Sequence, residues 1–136
     1  ESRGRLEAFG ESIGLLFQIR DDELGLFGNE TELGKPVGSD VREGKKTLIF
    51  SSLMAAADPA ERRRLKRIFG NPRATKGDIE YVRERAGSDT VRSQIQSLAA
   101  GLTEKARTAI GALSCGTEED RAALQGLLDF TTARRQ

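Results

Sequence analysis

The chain has 136 residues, the size of one ordinary domain built on a single hydrophobic core. Its 22 Lys and Arg balance 21 Asp and Glu, so there is no chain-wide basic field for nucleic acid or anionic lipid, and any anion binding must be local. The absence of histidine excludes Ser-His-Asp and Cys-His nucleophile systems and His-ligated metal sites, and the single Cys115 excludes an internal disulfide and a thiolate metal cage.

No apolar run approaches the roughly 18 residues that cross a bilayer, and the opening ESRGRLEAFG is neither a signal peptide nor a methionine start. A cytoplasmic protein is expected, with this chain a piece of something longer and no transmembrane segment. Few prolines and abundant Ala, Leu, Glu, Arg and Gln point to an all-α chain. Over residues 2–27, Leu6, Phe9, Ile13, Leu16, Ile19 or Arg20, and Leu24 recur at steps of three and four, which predicts a long helix buried along one stripe. Residues 28–44 contain Gly34, Pro36 and Gly38, which break helical continuation, and are expected to form a functional loop.

From Lys45, the residues Leu48, Phe50, Leu53, Met54 and Ala57 predict a helix closed at Asp58-Pro59, which in turn can cap and start the next, ending at Gly70. Thr75 with Asp78 resembles a capping box before Ile79, Val82 and Ala86, and Gly87 terminates that segment. Val91, Ile95, Leu98, Leu102, Ala106, Ile110 and Leu113 then hold one apolar face for about six turns. Thr117 with Asp120 opens a final helix whose Leu124, Leu127, Leu128 and Phe130 are expected to face inward before the basic end Arg134-Arg135-Gln136. Packing helices over 45–135 thus follow the site helix and loop, and nothing reads as a strand.

Chemistry concentrates between Phe17 and Lys45. Gln18 lies one helical turn before Asp21 and Asp22, so an amide and two carboxylates project from neighbouring positions of an otherwise apolar helix. Adjacent inward acids need a positive partner, and a hard divalent cation such as Mg²⁺ suits carboxylate oxygen. The loop supplies Lys35 and Lys45, each after a glycine, with Asp40 between them. A glycine lets the backbone approach an anion, and a lysine is a compact charge suited to phosphate, so the set describes a diphosphate site. The stretches from Gly28 to Lys35 and from Gly38 to Lys45 each miss the Walker A spacing by one residue, lack the following Ser or Thr and follow no strand, which excludes a P-loop. Two adjacent acids alone usually mark a solvated helix face, isolated Gly-Lys pairs usually mark surface turns, and a Phe at helical spacing is usually core. Their conjunction in one stretch favours a site.

The pattern Phe17-Gln18-x-x-Asp21-Asp22-x-x-Gly25, then Gly34-Lys35-x-x-Gly38-x-Asp40, then Gly44-Lys45-x-Thr47-Leu48, resembles the second aspartate-rich region of the trans-isoprenyl diphosphate synthases, such as geranylgeranyl and farnesyl diphosphate synthases. The terminal LLDFTTARR is similar in character to the family's last helices. The resemblance implies an isoprenoid-synthase-type helical bundle, of which residues 1–136 would be the C-terminal portion, and a homodimer. It implies a prenyltransferase that condenses an allylic diphosphate with isopentenyl diphosphate into a longer isoprenyl diphosphate such as geranylgeranyl diphosphate. By position, Asp21 would bind Mg²⁺ directly, Asp22 would support it and Asp40 would orient metal-bound water. Lys35 and Lys45 would hold the departing diphosphate, Gln18 would line the cation region and Phe17 would pack beside the prenyl chain.

Two departures stand out. The family's common DDxxD has Gly25 at its fifth position here, and the sequence contains no first aspartate-rich motif, no upstream arginine pair and no Lys-Thr pair facing the cation. The chain alone is therefore not expected to catalyse, its missing N-terminal half being the partner that completes it. A class I terpene cyclase and a non-catalytic helical subunit used for dimerisation are the alternatives. The paired Gly-Lys loop favours the synthase over the first, and the intact Asp and Lys set argues against the second.

Overall fold

The computed structural model describes residues 1–133, without the side chains of Glu32 and Leu33, and shows an all-α chain with no strand among the described residues. In chain order the helices are α1 (Ser2–Phe27), α2 (Glu30–Leu33), α3 (Ser39–Glu43), α4 (Leu48–Ala56), α5 (Pro59–Ile68), α6 (Lys76–Ala86), α7 (Asp89–Gly111) and α8 (Glu118–Ala133). They form two compact units, one of residues 1–20 with those from 97 on, the other of residues 21–96, the divisions falling inside α1 and α7.

In the first unit α1 buries Phe9, Ser12, Leu16 and Ile19, α7 buries Ala99, Ala106, Ala109 and Ile110, and α8 buries Leu128 and Thr131. The polar members are satisfied within their own helices, Ser12 Oγ donating to the Ala8 carbonyl and Thr131 Oγ1 to that of Leu127. Leu127 and Phe130 are exposed instead of facing inward with Leu128, because residues 127, 128 and 130 point in three directions round a helix and cannot share one stripe. Leu6 and Leu98 are likewise exposed. The basic end, residues 134–136, lies outside the described residues.

The second unit positions the site. Its core joins Leu26, Val41, Ile49, Leu53, Leu65, Ile68, Ile79, Val82, Ala86, Val91 and Ile95. Full burial of a side chain such as Leu53, Leu65 or Val82 is worth about 1.5–3 kcal/mol. α6 packs on both α4 and α5. Short-range capping sets the starts of the helices. Asp58 forms a capping box with Glu61 ahead of Pro59, and Thr75 forms one with Asp78. In the other unit, Thr117 Oγ1 accepts from the Asp120 N–H while the Asp120 carboxylate accepts from the Thr117 N–H.

Two boundaries differ from the sequence expectation. The helix expected from Lys45 begins at Leu48, because Thr47 is the N-cap and its side chain accepts from the Phe50 N–H. Residues 28–44 are not one open loop but hold the short helices α2 and α3. The glycines interrupt helix without forbidding a turn between them: α3 is bracketed by Gly38 and Gly44, both left-handed.

Candidate functional site

The last turns of α1, the loop with α3, and the start of α4 meet in the second unit. The Gly38 N–H donates to the Gly25 carbonyl over 3.1 Å, which fastens the returning loop to α1. The Gly70 N–H donates to the Val41 carbonyl over 2.9 Å, and Arg42 donates through Nε to the Ala74 carbonyl and through Nη1 to that of Val37. These backbone acceptors hold α3 in place although it is too short to persist alone.

Asp40 lies in the first turn of α3, and its side chain is only 16% exposed. Its Oδ1 accepts from Lys35 Nζ at 3.0 Å and from Lys45 Nζ at 2.9 Å. Two ammonium groups on one oxygen stand within about 6 Å of each other, a separation that a single diphosphate spans. Both lysines are about half exposed, so each can offer further N–H donors outward. Burial by itself would raise the Asp40 carboxyl, but the hydrogen bonds from Lys45 and Lys35 outweigh it and hold the group below its ordinary value. In return the hydrogen bond and the charge of Asp40 raise Lys45.

Asp22 has the opposite electrostatics. Burial, then Asp40, then Asp21 push its carboxyl up to about 6, while Lys45 and the backbone N–H of Leu48, at the start of α4, pull it down. Its Oδ2 is buried without a hydrogen-bond partner among the described residues. A half-buried carboxylate with an unanswered oxygen has much to gain from a cation. Asp21 is exposed beside it. Among the described residues no three carboxylate or thiol groups close into a metal cage. Asp21 and Asp22 would offer a hard cation two carboxylates only, so its remaining ligands would have to come from outside the chain.

Asp22, Gly25, Asp40, Lys45, Thr47 and Phe69 are among the residues lining a hollow of about 20 Å³, room for one water and not for an organic substrate. An anion held by the lysines would lie on their outer, solvent-facing side.

The structure thus brings together Asp22, Asp40, Lys35 and Lys45, with Asp21 at the rim. Phe17 and Gln18 fall in the first unit, and both are exposed instead of facing inward, Phe17 by 47%. The buried stripe of α1 runs through Phe9, Ser12, Leu16 and Ile19, and residues 17, 18 and 21 lie off it. Sequence reasoning missed Leu48 as a donor, for which Thr47 in N-cap position was the available signal. Arg20, which the periodicity offered as an alternative to Ile19 on the buried stripe, has its Nη1 buried without a hydrogen-bond partner among the described residues. Gly44 also meets a packing demand: at φ +71°, a Cβ there would come within 2.9 Å of the Gly70 Cα.

Among the described residues no helix is long and apolar enough to cross a membrane. The sequence profile of the polyprenyl synthetase family matches residues 1–86. Geranylgeranyl diphosphate synthase of Saccharolobus solfataricus is 35% identical over 136 residues, covering 97% of this chain and 40% of that protein. The crystal structure of geranylgeranyl pyrophosphate synthetase from Pyrococcus horikoshii superposes with a TM-score of 0.80 at 33% identity, over 97% of this chain and 39% of that one. A geranylgeranyl pyrophosphate synthase from Corynebacterium glutamicum, solved in complex with isoprenyl diphosphate and magnesium, gives 0.80 at 30% identity, over 97% and 37%. The chain spans about two fifths of the length of each of these relatives.

Proposed function

The chain belongs to the polyprenyl synthetase family, and from that premise we propose that it supplies the diphosphate-holding part of a prenyltransferase. The reaction would condense an allylic diphosphate with isopentenyl diphosphate into a longer isoprenyl diphosphate such as geranylgeranyl diphosphate. The observation that carries this reading is the convergence of Lys35 and Lys45 on Asp40 beside the half-buried Asp22.

In the ground state Asp40 keeps two cationic side chains gathered with little freedom. When a diphosphate arrives, Lys35 and Lys45 direct their remaining N–H groups to its oxygens, so the charge that grows as the allylic C–O bond breaks meets donors already in place. Asp21 and Asp22 would hold Mg²⁺ together with diphosphate oxygens, and that ion, when bound, supplies further neutralisation of the leaving group. Asp40 would orient water around the site. Gln18 would line the region of the carbocation, and Phe17 would lie along the prenyl chain.

With a single aspartate-rich stretch in its sequence, the chain by itself is expected to bind diphosphate without condensing the two substrates. Calorimetric titration with inorganic diphosphate, with and without Mg²⁺, tests the reading. Saturable binding that Lys35→Ala/Lys45→Ala abolishes is the expected result, and binding indifferent to both lysines would overturn it. The homodimer belongs to the same proposal and is checked by sedimentation.

A further inference from the structure

Gly25 is buried in α1, three residues after Asp22. Glycine inside a helix is less favourable than alanine, so the position calls for a reason. Three other glycines of α1, Gly4, Gly10 and Gly14, would meet nothing within 4 Å if given a Cβ. Gly25 differs: a Cβ there would lie 3.2 Å from Asp40 Oδ2 and 3.9 Å from its Cγ. Asp40 has little room to retreat. Its Oδ1 holds both lysine Nζ atoms, its main-chain carbonyl accepts from the Lys45 N–H at 3.0 Å, and the Gly38 N–H ties the preceding residues to the Gly25 carbonyl.

We infer that Gly25 is a positioning residue: its bare Cα is the seat against which Asp40 Oδ2 rests, and that seat fixes Oδ1 at the point where Lys35 and Lys45 converge. Asp40 thereby brings a second carboxylate to the hollow that Asp22 of α1 already lines. The consequence for ligand binding rests on the diphosphate reading above, whereas the seat itself does not.

The experiment is Gly25→Ala in two backgrounds, the parent protein and Asp40→Ala, with two readouts for each. The first is thermal unfolding. Gly→Ala in a helix ordinarily stabilises, so Gly25→Ala should raise Tm in the Asp40→Ala background, where the seat is empty, and lower it in the parent. The second is affinity for inorganic diphosphate, which Gly25→Ala should weaken about tenfold in the parent and change less than about twofold in Asp40→Ala. A Gly25→Ala protein that fails to fold, with folding recovered in the double variant, supports the inference equally. A rise in Tm in both backgrounds, an equal fall in both, a failure to fold in both, or a loss of diphosphate affinity of the same size in both overturns it. If even the parent binds no diphosphate, the diphosphate reading falls, and the sign of the Tm change still decides the seat.

Discussion

Lys45 is joined to Asp40 twice: its Nζ donates to Asp40 Oδ1 across 2.9 Å, and its backbone N–H donates to the Asp40 main-chain carbonyl across 3.0 Å. Main-chain geometry therefore sets the origin of the Lys45 side chain, whereas Lys35 meets Asp40 through Nζ alone, at 3.0 Å. In the proposed enzyme Lys35→Ala and Lys45→Ala should each lower turnover on the order of 10²-fold, the loss that follows removal of one preorganised donor. Steady-state kinetics on both variants check this, and near-normal turnover in both would remove the diphosphate clamp.

Asp22 should make the metal-free protein less stable as pH rises. Its folded carboxyl titrates at about 6 against an ordinary 3.8. The folded state therefore keeps a proton that the unfolded chain has lost, and the associated stability, complete below about pH 4, disappears as pH rises through 6. Asp22→Asn should flatten this dependence and add on the order of 1 kcal/mol at pH 7.5, after discounting for the solvent that screens a half-buried group. Urea unfolding from pH 4 to 8 measures it; an unchanged pH profile in the variant would contradict the assignment.

Metal removal should leave the fold intact. Because the carboxylates close no cage among the described residues and Asp40 is engaged by the two lysines, EDTA should not shift Tm. Mg²⁺ and inorganic diphosphate together should stabilise, by about 2.7 kcal/mol at a hundredfold excess over Kd, while either alone does far less. Asp21→Ala should abolish the joint effect. Thermal shift assays with each ligand and with both decide the matter.

Gly44→Ala should destabilise by at least about 2 kcal/mol, since a left-handed backbone costs a side-chain-bearing residue about 1–2 kcal/mol. The new Cβ would in addition press within 2.9 Å of the Gly70 Cα, a backbone atom that cannot rotate away. Denaturant titration checks it, and a neutral variant would show that Gly70 gives way.

Helix existence and several helix starts were legible because they depend on neighbours in sequence. Asp58 with Glu61, Thr75 with Asp78, and Thr117 with Asp120 satisfy each other over three residues, so their capping bonds can be read without any tertiary contact. α2 and α3 were not legible. Segments of four and five residues lie far below the length at which helix sustains itself, and α3 exists through the bonds of Val41 with Gly70 and of Arg42 with Ala74 and Val37. The α1 stripe read from the sequence already leaves out Phe17, Gln18 and Asp21, which are exposed, whereas the exposure of Leu6, a member of that stripe, was not legible because periodicity alone does not say how far along a helix its neighbours reach.

The candidate site divides in the same way. Residue types at Asp21, Asp22, Lys35, Asp40 and Lys45 specified anion and cation chemistry, since carboxylates and ammonium groups have the same affinities wherever the chain carries them. Which of them meet was decided by the tertiary structure alone. The bond from Gly38 to Gly25 brings Asp40 onto α1, where both lysines close on one oxygen and Asp22 is left with one that has no partner among the described residues. Those meetings depend on the three-dimensional path of the chain between residues 25 and 48, and a path set by backbone bonds between distant peptides leaves no periodic mark in the sequence.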